Sequence, residues 1–170
     1  MNGGQWAIKP LGKGHDRQAF DCGESSLDEY LRRYAGQHAR KHLSKTYVAL
    51  SPPTSAVLGF YSLATGSVEF EDLPSRAADG LPTGYPIPTA HIARLAVDRS
   101  TQGQGLGGVL LWDALGRILG LAGLIGICAV TVDALHDRAR AFYAHHGFEP
   151  LRDDPLHLYL LTATARRALT

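Results

Sequence analysis

The sequence has little cysteine and no long hydrophobic segment. Its two cysteines, Cys22 and Cys128, lie far apart in the 170-residue chain, which excludes a disulfide framework and predicts reduced thiols in a cytoplasmic protein. The apolar run over residues 118–132 has fifteen residues, three of them glycine, whereas a membrane span needs roughly 20. Residues 1–14 contain no apolar h-region, which indicates that no signal peptide is present. We therefore expect a cytoplasmic protein without a membrane anchor.

An excess of charge of either sign is also lacking. The 17 Lys and Arg residues are opposed by 16 Asp and Glu residues, for a net charge of +1, so any attraction to an anion must be local. The bases are thirteen arginines and four lysines, and the planar guanidinium suits phosphate recognition. Hydrophobic residues make up 45% of the chain, which excludes disorder and favours a single domain over residues 1–170.

Two common catalytic devices are absent. The sequence has no H-E-x-x-H motif, and its histidine pairs, His38/His42 and His145/His146, lie among bases rather than carboxylates. We therefore expect no metal site. The motif G-x-S-x-G is also missing, which excludes the nucleophile elbow of an α/β-hydrolase.

The predicted elements alternate in an α/β pattern. Periodicity and turn residues predict strands over residues 6–11, 46–50, 56–70, 91–97, 125–132 and 156–161, with helices over residues 106–119 and 136–145. Residues 71–88 hold four prolines and two glycines and are expected to form a long irregular loop.

The first helix carries two signals. Ser26 and Glu29 have the spacing of a capping box, which places the start of the helix at Ser26. Four large side chains recur at i, i+3, i+4 and i+7, and we expect them to share one face: Leu27, Tyr30, Leu31 and Tyr34.

A run of bases follows within the same helical stretch. Residues 32–45 carry five fixed positive charges and no acid: Arg32, Arg33, Arg40, Lys41 and Lys45. On a near-neutral protein, such a run is a local anion-binding surface with the size and sign to follow an RNA backbone. The alternative is a solvated helix face that binds nothing.

A glycine-rich turn over residues 102–108, Gln-Gly-Gln-Gly-Leu-Gly-Gly, is the sharpest signal. Glycines let amides approach an anion, and a helix N-terminus adds partial positive charge, which suits a pyrophosphate. One interpretation is a dinucleotide site, since Gly103, Gly105 and Gly108 fit G-x-G-x-x-G and Asp133 ends the next strand. Against it, five residues separate the preceding strand from Gly103, and the motif begins past residue 100, which leaves no room for a second mononucleotide half. A helix start without a ligand is the third interpretation.

The same turn also fits a different signature. Arg94-Leu95-Ala96-Val97 followed by Gln102-x-x-Gly105-x-Gly107 resembles the acetyl-CoA-binding motif of the GCN5-related N-acetyltransferase (GNAT) superfamily. The segment over residues 141–148, Ala-Phe-Tyr-Ala-His-His-Gly-Phe, resembles the tyrosine-bearing helix of that family. The resemblance implies an α/β GNAT fold, with a mixed, splayed central sheet flanked by helices and acetyl-CoA as co-substrate. The implied cofactor-binding residues are Leu95, Ala96, Val97, Gln102, Gly103, Gln104, Gly105, Leu106, Gly107 and Gly108, with Asp133 and Phe142.

Further landmarks resemble one subgroup of the family. Phe20-Asp21-Cys22-Gly23 and the strand over residues 59–64 are similar to those of acetyltransferase toxins from bacterial type II toxin–antitoxin modules. The resemblance spans about residues 15–151. It implies acetylation of aminoacyl-tRNA, which stops translation, together with a ribbon-helix-helix antitoxin and a homodimer. Arg94 joins the tRNA-binding candidates and either faces the acceptor's 3′ end or forms a core salt bridge.

The chemistry of N-acetyl transfer needs a neutral amine and a proton for the leaving thiolate. The resemblance makes Tyr143 the general acid, and a phenol is protonated at pH 7. No strong base is evident, but the α-amino group of an aminoacyl ester is largely neutral at cellular pH. Two alternatives stay open: acetylation of a small amine or a protein, and a nucleotide-binding module without turnover.

Overall fold

The chain folds into a mixed α/β structure, described for residues 5–170 of a computed structural model. Its strands are β1 (Ala7–Pro10), β2 (Lys45–Leu50), β3 (Gly59–Val68), β4 (Ile87–Val97), β5 (Ala129–Asp133), β6 (Glu149–Pro150) and β7 (His157–Leu161). They form one sheet in the order β1-β2-β3-β4-β5-β7-β6, with β4 and β5 parallel. The helices are α1 (Ser25–Glu29), α2 (Ala35–Arg40), α3 (Ser75–Ala78), α4 (Leu106–Ala122), α5 (Asp137–His145) and α6 (Thr162–Leu169). The predicted α/β class with a mixed sheet is confirmed.

Two compact units make up the described chain. The first contains the described residues up to Ala64 together with Ala93–Ala114, and the second contains Thr65–Ile92 and Leu115–Thr170. The single domain over residues 1–170 stays a prediction, and the expected lack of a signal peptide falls partly on residues 1–4, which lie outside the described residues. No helix within residues 5–170 is long and apolar enough to cross a membrane.

The first unit is built on an antiparallel meander. β2 pairs with β1 from Ala7↔Leu50 and with β3 from Lys45↔Leu63. Its core contains Phe20 and Phe60, whose ring centroids lie 5.5 Å apart in an edge contact. The register places Gly59 at the start of β3, where the backbone comes close to α4.

We expect Gly59→Ala to destabilise this core. An added Cβ would lie 2.9 Å from Leu110 Cδ1 and 3.2 Å from the carbonyl oxygen of Ala96. The leucine can adjust but the backbone carbonyl cannot, so the free energy of unfolding should fall by about 1–3 kcal/mol. Urea unfolding measures the change. Gly116→Ala is the control, since a Cβ there meets nothing within 4 Å and should stabilise α4 by about 0.5–1 kcal/mol. Equal effects of the two substitutions would contradict the steric argument.

The second unit contains the parallel strand pair. β4 runs alongside β5 from Thr89↔Ala129 to Ile92↔Val132, and β7 lies antiparallel on the other side of β5. β4 begins within the predicted loop, because Pro88 needs no donor there and its carbonyl accepts the Cys128 N–H at 2.9 Å. The strand predicted from residue 125 begins only at Ala129: Ile125 and Gly126 are exposed, and residues 127–128 are half-buried.

The first helical stretch differs from the predicted one in two ways. It begins at Ser25 with Glu24 as N-cap and without a side-chain cap, so the capping box is wrong. A π-helical turn over Tyr30–Tyr34 separates α1 from α2. A π turn holds more residues than an α turn and rotates the following side chains out of the shared face. Tyr30 and Leu31 are therefore buried, whereas Tyr34 is 42% exposed.

Candidate functional site

The glycine-rich turn connects β4 to α4. The chain leaves β4 at Val97, forms a 3₁₀ turn over Arg99–Thr101 and enters α4 at Leu106. Gly103 and Gly105 have φ angles of +81° and +90°, a left-handed conformation that favours glycine. A Cβ built at either position meets nothing within 4 Å. The turn is therefore an open cradle in which a ligand can reach the backbone.

The amides at the start of α4 point to an anion site. The first hydrogen bond of the helix runs from the Val109 N–H to the Gly105 carbonyl at 3.2 Å, so the amides of Leu106, Gly107 and Gly108 have no acceptor within the helix. The Leu106 side chain is fully buried, which leaves only its backbone for a ligand. Unpaired amides at the N-terminus of a 17-residue helix suit the diphosphate of a coenzyme.

Residues 21–24, named the strap here, hold the turn from one side. The Asp21 N–H donates to Asp98 Oδ1 at 2.9 Å, and the Arg99 N–H donates to the Asp21 carbonyl at 2.9 Å. The Arg99 guanidinium also pairs with the Asp21 carboxylate at 3.2 Å. The Phe-Asp-Cys-Gly motif of the sequence is thus a structural support of the turn.

Gln102 completes this support through its side chain. Its amide nitrogen donates to the carbonyl of Cys22 at 2.9 Å and to the carbonyl of Val97 at 2.8 Å. The family resemblance implies that Gln102 is a cofactor-binding residue, but both of its side-chain N–H groups donate to carbonyls of the protein. The side chain therefore fixes the shape of the turn, and the role of Gln102 toward a cofactor stays a prediction.

We expect Gln102→Glu to weaken acetyl-CoA binding about tenfold or more, because a carboxylate would face two carbonyl oxygens and the turn would lose its support. Gln104→Glu is the matched control. It places the same charge in the same turn, but its amide makes only a 3.3 Å bond to the Ser100 carbonyl. Isothermal titration measures both dissociation constants. Equal losses would show that charge alone matters and that the hydrogen bonds of Gln102 do not.

The end of β4 supplies the remaining cofactor candidates. Ala96 is buried in the core of the first unit, whereas Leu95 and Val97 are half-buried. Arg94 lies just before them, and its guanidinium carbon is 3.7 Å from the centroid of the Tyr30 ring. This cation–π contact takes the place of the core salt bridge that the sequence left open.

The five bases of residues 32–45 fall into two groups. Arg32 donates to the Phe20 carbonyl at 2.8 Å, and Arg33 pairs with Glu29 at 3.0 Å. The spacing of Arg33 and Glu29 is i, i+4, so this ion pair is visible in the sequence. The other three bases are exposed: Arg40, Lys41 and Lys45. They are the stronger candidates for binding an external anion.

Tyr143 lies on α5 in the second unit and is 7% exposed. Its ring makes edge contacts with Phe142 at 5.1 Å and Phe148 at 5.5 Å. Burial raises the pKa of the phenol above its usual value, so the hydroxyl is protonated at neutral pH. Within residues 5–170 this hydroxyl has no hydrogen-bond partner, which leaves it available to a bound group.

Asp133 ends β5 and lies between two histidines that are distant from each other in sequence. Its carboxylate lies 3.4 Å from His91 and 3.8 Å from His157, because the sheet register places His157 opposite Asp133. The side chain of Asp133 is 66% exposed, and its role toward a cofactor stays a prediction. Among the described residues, no three His, Cys, Asp or Glu side chains meet as a metal site would require.

Two sequence relatives cover nearly the whole chain. The tRNA-acetylating toxin of Mycobacterium tuberculosis (strain ATCC 25618 / H37Rv) is 45% identical over 163 residues, covering 96% of each chain. The probable toxin TacT of Sinorhizobium fredii (strain NBRC 101917 / NGR234) is 36% identical over 167 residues, covering 94% of this chain and 92% of the relative.

Solved structures of toxins have the same fold. AtaT complexed with acetyl-methionyl-tRNAfMet superimposes with a TM-score of 0.90 at 31% identity, over 97% of this chain and 99% of the other. AtaTR bound with AcCoA gives 0.86 at 31% identity, over 98% and 99%. A tyrosine-to-phenylalanine mutant of AtaT bound to the C-terminus of the antitoxin AtaR gives 0.84 at 29% identity, over 98% and 99%.

A family profile decides the assignment. The profile described as the acetyltransferase (GNAT) domain matches residues 42–150, which include the glycine-rich turn and α5. This match agrees with the cradle geometry and with the resemblance seen in the sequence. The chain belongs to the GNAT acetyltransferase family.

Proposed function

We propose that this protein transfers the acetyl group of acetyl-CoA to the α-amino group of aminoacyl-tRNA and thereby blocks translation. The observation that carries this proposal is the 45% identity, over nearly the full length of both chains, to a tRNA-acetylating toxin. A GNAT fold alone accommodates many acceptors, but a relative this similar narrows the acceptor to charged tRNA.

The residues that bind acetyl-CoA follow from the cradle. The amides of Leu106, Gly107 and Gly108 hold the diphosphate, and the open backbone at Gly103 and Gly105 lets it approach. The backbone of Leu95 and Val97 receives the pantetheine arm. Acetyl-CoA supplies the acetyl group as a thioester, whose carbonyl carbon is the point of attack.

Proton transfer requires one acid and no strong base. The α-amino group of an aminoacyl ester is largely neutral near pH 7.5, so it attacks without prior deprotonation by a side chain. As the amide C–N bond forms and the thioester C–S bond breaks, the attacking nitrogen releases a proton to water and Tyr143 donates a proton to the leaving thiolate. The phenolate of Tyr143 then regains a proton from water. Support for this role comes from its raised pKa and its hydroxyl without a protein partner.

The RNA-binding role falls to the exposed bases Arg40, Lys41 and Lys45. Arg32 and Arg33 act mainly as supports, since each has a partner within the first helical stretch or beside it. Arg94 orients the acceptor end from β4, where it rests on Tyr30.

The protein also acts with partners. Solved relatives form complexes with an antitoxin. We assign this chain a ribbon-helix-helix antitoxin and a homodimeric form, as the family resemblance implies. We also assign it to the cytoplasm, because its substrate, charged tRNA, is cytoplasmic. Copurification with a neighbouring small gene product and light scattering test these assignments. A monomer that binds no such product would contradict them.

Labelled acetyl transfer tests the activity. Radiolabelled acetyl-CoA is mixed with a pool of charged tRNAs and, separately, with the same tRNAs stripped of amino acid. Label only on the charged pool is the expected result. Binding of acetyl-CoA without label on tRNA would overturn the substrate and leave small amines or proteins as acceptors. Failure to bind acetyl-CoA would return the turn to the dinucleotide interpretation.

A further inference from the structure

An exposed tyrosine lies among the cations of the first helical stretch. Tyr34 is 42% exposed and ends the π turn. α2 follows directly, with the exposed bases Arg40 and Lys41 at its end. Single exposed aromatic residues are common on protein surfaces, so the local backbone and the neighbours of Tyr34 decide whether it has a function.

The π turn is the reason that Tyr34 is exposed. In an uninterrupted α-helix, Tyr34 would follow Leu27, Tyr30 and Leu31 on the buried face. The π turn over Tyr30–Tyr34 breaks this periodicity. Such turns are rare and occur frequently at functional sites. The π turn therefore places the Tyr34 ring at the surface instead of on the buried face.

A row of neighbouring rings in tilted and edge-on contact, named the aromatic ladder here, connects Tyr34 to the cofactor strand. Tyr34 contacts the His38 ring at 6.4 Å between centroids, and His38 contacts Tyr30 at 5.4 Å. The guanidinium of Arg94 caps the far side of the row, 3.7 Å from the Tyr30 centroid. Arg94 directly precedes Leu95, which begins the cofactor-binding end of β4. The ladder therefore runs from the basic surface to the strand where acetyl-CoA is expected.

We propose that Tyr34 is a stacking platform for an unpaired nucleobase at the 3′ end of the RNA substrate. The inference rests on the proposed function and adds the subsite that receives the single-stranded end. A nucleobase joined to phosphates matches an exposed ring in the helical stretch that ends with the exposed bases Arg40 and Lys41, because bases stack on aromatic faces while cations hold the backbone. Tyr34 binds and positions the acceptor end and takes no part in proton transfer.

Three substitutions of Tyr34 separate stacking from apolar contact. Tyr34→Ala removes the ring and should raise the KM for charged tRNA by about 5- to 150-fold, with kcat at saturating tRNA little changed. Tyr34→Phe keeps the ring and should behave as wild type. Tyr34→Leu keeps an apolar side chain without a π face and should resemble Tyr34→Ala. Unchanged acetyl-CoA affinity and melting temperature verify that each variant is folded.

A fluorescence measurement reports stacking without depending on turnover. The probe is a tRNA with 2-aminopurine in place of its 3′-terminal adenine, since stacking quenches this base. Wild type and Tyr34→Phe should quench it, and Tyr34→Ala should not. Tyr85→Ala is the matched control, because Tyr85 is 66% exposed and has no basic residue within five positions on either side.

The outcomes separate this inference from the proposed function. If wild type transfers label to charged tRNA but Tyr34→Ala has an unchanged KM and unchanged quenching, Tyr34 is not a stacking platform. The proposed activity would still hold. A KM of Tyr34→Leu equal to that of Tyr34→Phe would also overturn the stacking platform, since an apolar contact without an aromatic ring would then be enough. Absence of label with wild type would overturn the activity, and the fluorescence result would still decide whether Tyr34 stacks on RNA.

Discussion

Replacing Tyr143 by phenylalanine is expected to lower kcat for acetyl transfer by about 10²- to 10⁴-fold, the range over which a general acid contributes. The substitution removes only the hydroxyl. The ring contacts with Phe142 and Phe148 remain, so α5 and acetyl-CoA binding should be unaffected. Steady-state transfer to charged tRNA measures kcat, and isothermal titration measures cofactor affinity.

Tyr159→Phe serves as the control for this experiment. Tyr159 is a second buried tyrosine of the same unit, and its hydroxyl donates to the Glu149 carboxylate at 3.2 Å. Loss of this hydrogen bond should lower the free energy of unfolding by about 0.5–1.5 kcal/mol without lowering kcat. Full activity of Tyr143→Phe, or an equal loss in Tyr159→Phe, would remove Tyr143 from the catalytic step.

Neutralising the three exposed bases Arg40, Lys41 and Lys45 to glutamine should weaken tRNA binding about 100-fold at low salt. Each lost phosphate contact also lowers the slope of log affinity against log salt by about 0.7–0.9, so the triple variant should lose about two to three units of slope. Filter binding over a range of salt concentrations measures both quantities, with acetyl-CoA affinity expected to stay unchanged.

A triple variant of equal charge tests whether location matters. Arg152, Arg166 and Arg167 are exposed bases of the second unit, and their replacement by glutamine changes the net charge by the same amount. We expect little change in affinity or slope. An equal loss of tRNA affinity in both triple variants would indicate that tRNA is attracted by the overall charge of the protein and not by these three bases in particular. An unchanged slope in the first would exclude its bases from RNA binding.

The glycine-rich turn was predictable because its chemistry is local. Gly103 and Gly105 sit where the backbone adopts positive φ angles, and the helix that they precede is visible in the same few residues of sequence. The tyrosine-bearing helix was found in the same way, from the short Phe-Tyr…Gly-Phe segment and from Gly147, whose φ of +95° ends the helix. Patterns of this kind can be identified from a few neighbouring residues, because they do not depend on tertiary contacts.

The first helical stretch was less predictable, because periodicity arguments assume a constant number of residues per turn. The π turn violates that assumption, and Tyr34 moves from the expected buried face to the surface. The predicted capping box failed for a related reason, since Ser26 lies inside the helix rather than before it. Tertiary packing of Tyr30 and Leu31 decides the register there.

Contacts between distant residues could not be predicted at all. Gln102 bonds to Cys22, and Asp133 lies beside His91. Nothing in one sequence marks such pairs, since they are set by sheet register and loop path. The division of the bases into those with protein partners and those free to bind RNA also depends on tertiary contacts. Arg32, for example, donates to the carbonyl of Phe20.

The strap has one further chemical consequence, which concerns Cys22. Its thiol contacts the Glu24 carbonyl at 3.6 Å, and burial is the main cause that raises its pKa to about 12. At pH 7 only about one such thiol in 10⁵ is ionised, and the thiolate is the nucleophilic form. An enzyme that handles an activated thioester risks acylating its own sulfur. Cys22 supports the turn through its carbonyl, which accepts the Gln102 side-chain N–H, while its raised pKa keeps the side chain in the less nucleophilic thiol form.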